Sequence, residues 1–416
     1  MRILLNSILL VFSFSLISAT AIENANVHQY YWLKIKAQDK FQRSIITEDG
    51  IAIEIVKDDY VIAYGSEREK QLMEKRGWLL SASNLYLEKQ AGAKDFPQQD
   101  QLYHNYLELT TELNNLVKEN SDIMKLNSIG KTVENRDIFA VQITGDFANA
   151  ANKPALLVMG GHHAREHLSV EMPIKFIKLL LNGYRTNNER IKSLVENRDI
   201  HIIPAVNPDG LEFDISTSSY KMWRKNRFKN SNGTFGVDLN RNYDFQWGTG
   251  GSSSSPSSDT YMGSRPFSEP ETQAIKRYVE SHENITILLS FHSFSKLILF
   301  PWGHKYASIE NTNDQLVHQK MAEKMSTWNG YAPQQSSELY IASGDTTDWS
   351  YGVHKIISFT FELDPANNGF GGDGFYPGPS AIETSFNKNI EPLLYLLDYA
   401  DNPYRALQMG IGPINP

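Results

Sequence analysis

The 416-residue chain contains no cysteine, which excludes disulfides, thiolate metal ligands and cysteine nucleophiles together. It also lacks any Lys/Arg-rich block. Forty basic residues against 48 acidic ones leave a formal net charge of -8, and no zinc-finger or RNA-binding signature occurs, so nucleic acid is not an expected partner. No tandem repeat is present. The apolar run from Ile3 to Ile17 is too short to span a bilayer comfortably, so no stable membrane insertion is expected. With Arg2 before it and Ala19-Thr20-Ala21 after it, the run has the charge, apolar core and small-residue site of a secretory signal. We therefore expect residues 1–21 to be a signal peptide and the mature chain to be periplasmic or extracellular; a buried core helix is the alternative. Without disulfides an exported chain depends on its core, and 41% hydrophobic with 11% aromatic residues supply a substantial one.

Two units of unequal size are legible. In residues 22–87, Tyr31, Leu33 and Ile35 alternate with more polar neighbours, Ile51, Ile53 and Ile55 repeat the period of two, and Tyr60 to Tyr64 follows a polar break. Helical patterns over 38–45 and 67–76 and an apolar stretch from Trp78 complete the order strand, helix, strand, strand, helix, strand, a small α+β sandwich. Residues 88–101 are polar, with Gly92 and Pro97, and read as an exposed linker open to proteolysis. From Leu102 to Tyr404, helical segments alternate with apolar strands, among them 123–129, 137–143, 154–159, 199–206, 285–291, 297–300 and 355–361. That order predicts one α/β domain on a mixed, mostly buried sheet flanked by helices, followed by a tail at 405–416. Ser268 and Glu271, with Pro270 between them, predict a capping box at a helix start.

The strand-like run Pro154 to Met159 ends in Gly160-Gly161 and opens onto His162-His163-Ala164-Arg165-Glu166. One helical turn brings positions i and i+3 to one face, so His163 and Glu166 can share a zinc ion. Of the histidines outside this motif, His292 ends the apolar run ITILLSF, and a strand there would deliver it to the same sheet edge. Two histidines and one carboxylate leave a zinc position open, which suits hydrolysis. Glu362 closes another strand, IISFTF, and is the leading general base. A rival parse reads His163 to His167 as H-x-x-E-H, the inverted zinc-protease signature, which requires the motif inside a helix.

Taken together, these residues resemble the zinc carboxypeptidases of the A and B type, over about Leu102 to Tyr404. The resemblance implies zinc ligands His163, Glu166 and His292, with Glu362 as general acid/base. It matches Arg224, in Trp223-Arg224-Lys225, to the arginine that polarises the scissile carbonyl. Arg165, Asn240, Arg241 and Tyr340 correspond to substrate-binding positions: the asparagine–arginine pair holds the terminal carboxylate, and the tyrosine closes over substrate. Asp238 matches a carboxylate that orients the first histidine. The amino-terminal unit resembles the family's ferredoxin-like pro-segment, which implies a precursor and an activating protease cutting in the linker. The implied substrates are peptide and protein carboxyl ends; a muropeptide peptidase or a non-catalytic binding protein on the same scaffold are the alternatives. The side-chain pocket maps near Asp345 and Thr347. Thr347 stands where the A type carries an aliphatic residue and the B type an aspartate, and Asp345 two positions earlier resembles bacterial carboxypeptidase T, which accepts apolar and basic residues. Capping of the following turn is the other reading of Asp345. The resemblance leaves room for calcium, which exported relatives use for stability, although no EF-hand-like loop occurs.

Overall fold

The computed structural model describes residues 30–84, 95–217, 219–365 and 374–408. The expected signal peptide and residues 88–94 and 409–416 lie outside the described residues. The amino-terminal unit runs β1 (Tyr30–Lys36), α1 (Lys40–Glu48), β2 (Ala52–Val56), β3 (Tyr60–Ser66), α2 (Glu67–Lys75) and β4 (Leu79–Asn84). Its four strands pair antiparallel in the order β2-β3-β1-β4. Each helix starts on a cap that the chain supplies: Asp39 accepts from the Gln42 amide, and Ser66 with Glu69 forms a capping box. Leu33, Ile35, Ile46, Val61 and Met73 fill the space between helices and sheet.

The larger unit contributes α3 (Tyr106–Glu119), β5 (Met124–Lys131), β6 (Asp137–Ile143), β7 (Ala155–Met159), α4 (Leu168–Arg185), α5 (Glu189–Asn197), β8 (Asp199–Ile203) and α6 (Pro208–Asp214). It continues through α7 (Pro270–Glu280), β9 (Ile285–Ser293), β10 (Leu297–Phe300), α8 (Thr312–Asn329), β11 (Ala332–Gln335), α9 (Thr346–His354), β12 (Ile357–Leu363) and α10 (Ser380–Tyr399). Eight strands form one mixed sheet in the order β11-β10-β12-β9-β7-β8-β6-β5. The central four, β12, β9, β7 and β8, are parallel, and every residue of β7 and β8 is buried. Strands covered on both faces read as continuous apolar runs, as ALLVM does; DIHII alternates instead, and its buried Asp199 and His201 satisfy each other at 3.0 Å. No helix among the described residues is long and apolar enough to cross a membrane.

Three expectations need correction. The stretch 95–101 is anchored at two points instead of being exposed throughout: Phe96 is buried against Tyr103, His167 and Tyr220, and Asp100 accepts a hydrogen bond from the Tyr220 hydroxyl, while Gln98, Gln99 and Gln101 face solvent. Hydrophobic burial of one phenylalanine thus pins that segment to the larger unit. The carboxy-terminal tail does not begin at 405, because a 3-10 segment runs from Pro403 to Gln408 with Ala406 fully buried. Ser268 is not the cap of α7: Glu269 holds that position without a side-chain cap bond, Ser268 donates to the Glu269 carboxylate, and Glu271 instead accepts from Asn226 and the Val133 amide.

The turn after β7 is set by backbone contact. A Cβ on Gly160 would lie 2.1 Å from the Ser169 carbonyl oxygen, and Gly161 has φ of +65°, a conformation that costs other residues more than glycine. Gly160→Ala is expected to lower stability by about 1–3 kcal/mol through overpacking against fixed backbone. An unfolding midpoint in denaturant equal to that of the parent would refute this account of the turn.

Candidate active site

The parallel strands end on one edge, and the chemistry gathers there. β7 leads through Gly160-Gly161 into a loop carrying His163 and Glu166, and α4 begins only at Leu168. β9 brings His292, which lies opposite Glu362 of β12 in the parallel register. Crevices at the carboxyl ends of parallel strands are the usual place for a ligand in such sheets.

His163 Nδ1 lies 2.8 Å from Glu166 Oε1, His292 Nδ1 lies 3.0 Å from Glu166 Oε2, and the two Nδ1 atoms are 3.2 Å apart. All three side chains are buried, and their ligand atoms lie within 4.8 Å of one another. Two imidazole nitrogens and one carboxylate are a donor set that fits zinc. Burial would raise the Glu166 carboxyl, but the two imidazoles outweigh it and hold the group ionised, well below the usual range.

Outside this cluster, Asp238 accepts from His163 Nε2 at 3.2 Å and from Arg224 Nε and Nη2 at 3.0 and 2.9 Å. Burial alone would push Asp238 up; Arg224 and His163 hold it well below its ordinary value. A carboxylate on the far nitrogen of a metal-binding histidine fixes the ring's tautomer and direction. Burial, then the charge of Glu166, push Glu362 well above the ordinary carboxyl value against the pull of Arg224.

Arg241 donates to two backbone carbonyls, Nε to Gly251 and Nη1 to Asn240, and Asn240 Oδ1 accepts from the Thr346 amide and hydroxyl. Arg224, Asn240, Arg241, Tyr340, Asp345, Thr347 and Glu362 line one cavity of about 290 Å³ with the three metal-seeking residues. Asp345 caps α9: its Oδ1 accepts from the amides of Thr347 and Asp348 and from the Thr347 hydroxyl. Its Oδ2 is buried with no partner, and a Cβ on Gly303 would come within 3.1 Å of it. The two readings of Asp345 are therefore compatible, one oxygen for each. Burial, then the neighbouring Asp348, push its carboxyl up to about 7.

Arg165 stands apart from the expected substrate contacts. It is fully buried, does not line the cavity, and pairs with Asp259 at 3.2 Å and with Glu54 of β2, while its guanidinium lies 4.6 Å from the Phe375 ring centre. With the amino-terminal unit in place, the Arg165 guanidinium meets the buried carboxylates of Asp259 and Glu54 instead of the cleft. The inverted-signature parse also fails in place: His167 precedes α4, and its Nε2 bonds Asp214 at 2.9 Å on the Phe96 side of the loop.

Sequence reasoning missed Glu54, which reaches the cavity together with Ile53 and Val56 of the amino-terminal unit. The signal was a lone acid inside the apolar strand AIEIV. It also missed His162, whose imidazole is held neutral by burial and by the neighbouring His292 and His163 rings.

A buried two-imidazole, one-carboxylate cluster beside a free carboxyl and two guanidinium groups defines a single-metal hydrolase cleft. A family model described as zinc carboxypeptidase matches residues 109–392. A zinc carboxypeptidase of Saccharothrix mutabilis subsp. capreolus is 40% identical over 324 residues, covering 76% of this chain and 74% of that protein. Carboxypeptidase A2 of Rattus norvegicus is 33% identical over 331 residues, covering 78% and 74%. Carboxypeptidase A from Helicoverpa armigera has the same fold, with a TM-score of 0.74 at 23% identity, covering 92% of this chain and 99% of that one. The chain belongs to the zinc carboxypeptidase family and is a metallocarboxypeptidase.

The two histidine assignments can be separated by metal content. His292→Ala is expected to lose zinc on dialysis, whereas His167→Gln keeps one equivalent, since only His292 belongs to the donor cluster. Zinc retained by the first variant and lost by the second would reverse the assignment.

Proposed function

We propose that the cleft removes residues one at a time from the carboxyl ends of peptides, with His163, Glu166 and His292 as the zinc ligands. The observation that carries this reading is the presence of Asn240 and Arg241, both tethered, in the same cavity as the metal donors and Glu362. A guanidinium with free N–H groups beside an amide suits a substrate carboxylate, and a site that needs a free carboxylate acts on chain ends. Bound zinc supplies Lewis-acid polarisation and lowers the pKa of water. Glu362 takes the proton of the attacking water and returns it to the leaving amine. Arg224, held rigid by Asp238, faces the negative charge that develops on the scissile carbonyl oxygen, and Tyr340 covers the bound end.

The chain is proposed to be exported and made as a precursor. Export rests on the pattern of residues 1–21. Latency rests on the amino-terminal unit's position: Glu54 enters the cleft, Tyr340 packs on that unit's core, and Trp32, Ile55, Ile62 and Tyr64 share one apolar cluster with Met222, Phe294 and Phe375. Calcium has no support among the described residues beyond the chain's expected export.

A peptide ladder digested before and after proteolytic removal of the amino-terminal unit tests these proposals together. We expect sequential release from the carboxyl end only after removal, abolished by a chelator and restored by zinc. Internal cleavage or chelator-resistant release would overturn the exopeptidase reading, and equal rates before and after removal would overturn latency.

The pocket is proposed to take apolar and basic side chains according to the charge on Asp345. With its carboxyl near 7, Asp345 is mostly neutral at pH 6 and mostly ionised at pH 8, so a terminal Lys gains a counter-charge as pH rises. The ratio of kcat/KM for Lys-terminated over Leu-terminated peptides should rise about tenfold between those pH values, and Asp345→Asn should flatten it. A ratio independent of pH in the parent enzyme would remove Asp345 from the pocket chemistry.

A further inference from the structure

A chain of hydrogen bonds runs beneath the cleft from the metal cluster to Asn240. His292 turns Nδ1 to the cluster, and its other nitrogen, Nε2, lies 3.1 Å from Ser290 Oγ. The same hydroxyl lies 3.3 Å from His162 Nδ1. His162 Nε2 is 3.1 Å from Thr346 Oγ1 and 3.0 Å from the Tyr243 hydroxyl, and Thr346 Oγ1 donates to Asn240 Oδ1 at 2.8 Å. Ser290, His162 and Thr346 are at most 1% exposed, so each polar atom must find its partner inside the protein.

That requirement gives the chain a direction. A His292 whose Nδ1 serves a metal carries its proton on Nε2 and donates it to Ser290. The Ser290 hydroxyl then donates to His162 Nδ1, which leaves the proton of the neutral His162 ring on Nε2, facing Thr346 and Tyr243. Thr346 passes its own proton to Asn240 Oδ1. With the other tautomer of His162, two ring N–H groups would point at Ser290, whose proton would have no acceptor among the described bonds. At the far end, the Thr346 amide at 2.9 Å and its hydroxyl both claim Asn240 Oδ1. The amide's NH2 is thereby left for the cavity that Asn240 lines.

We propose that Ser290, His162 and Thr346 are positioning residues that couple recognition of the substrate's terminal carboxylate at Asn240 to the grip of His292 on zinc. This rests on the proposed role of Asn240. A carboxylate accepting from the Asn240 NH2 draws electron density toward its carbonyl and makes Oδ1 a better acceptor. Each bond upstream then tightens, ending in a more electron-rich His292. Coupling of this kind is reciprocal: carboxylate binding tightens zinc, and zinc tightens the carboxylate.

The test uses the full chain and 3-phenylpropanoate, a small monocarboxylate with an apolar tail. Its binding is followed by calorimetry, and the zinc dissociation constant is measured by chelator competition with and without it. The parent protein is expected to hold zinc about fivefold more tightly with the probe present. Thr346→Val and Ser290→Ala, which cut the chain at opposite ends, should each abolish the difference, and Thr346→Ser should restore it; thermal unfolding of each variant checks folding. If the probe binds the parent without changing its zinc affinity, or if either cut leaves the difference intact, the coupling is refuted. Where the probe binds only after proteolytic removal of the amino-terminal unit, the zinc comparison is made on the processed chain; if it binds neither form, the role of Asn240 as a carboxylate grip is what fails, and the coupling falls with it.

Discussion

Two imidazole nitrogens facing each other at 3.2 Å beside a buried carboxylate converge their lone pairs on one point, an arrangement suited to a cation. The larger unit is organised to produce that convergence. Parallel pairing of β9 and β12 puts His292 and Glu362 side by side, and the glycine turn after β7 lets His163 and Glu166 reach the same edge before α4 starts. One carboxylate, Asp238, then serves two partners: it orients His163 and holds Arg224. A variant that removed it would release both His163 and Arg224.

Asp345 illustrates the same economy with a single carboxyl group. Its Oδ1 satisfies the first amides of α9, a requirement of any helix start, and this fixes Oδ2 with no protein partner near Gly303. A side chain at position 303 would crowd that oxygen, so the glycine keeps it open to the cavity. The carboxyl is raised because it is buried and because Asp348 is close, and the carboxylate of Asp348 is itself occupied by the Gly303 and His304 amides. The fold thus creates a group that changes charge near neutrality as a by-product of capping a helix.

Much of this was legible in the sequence where the signal is local. Most buried parallel strands are short apolar runs, and position at their ends is enough to bring His163, Glu166, His292 and Glu362 to one edge. Arg165 could not be placed, because its direction depends on Asp259 and Glu54, 94 and 111 residues away. The helices α8 and α10 left no clear pattern: α8 buries His318 and Asp314 among its apolar residues, and α10 carries Pro392 in its interior. The hydrogen-bond chain through Ser290, His162 and Thr346 joins three segments and has no sequence signature at all. Phe96 was read as part of a polar linker because one aromatic residue among polar ones does not announce where it packs.

The contact between the two units joins an apolar patch to one buried charge pair. Its apolar part, Trp32, Ile55, Ile62 and Tyr64 against Met222, Phe294 and Phe375, supplies non-directional affinity. The Arg165 and Glu54 pair adds little net energy, since desolvating both charges offsets most of their attraction. It does fix the register in which β2 enters the cleft, because any other placement would leave Arg165 short of one carboxylate. On separation, Glu54 is hydrated and Arg165 retains Asp259, so neither charge is stranded. While the units share one chain, a modest interface suffices, because the effective concentration of a tethered partner is of order millimolar. In the proposed precursor, a cut before Phe96 would remove that advantage without altering any contact, and the anchoring of Phe96 would leave the new end with the larger unit.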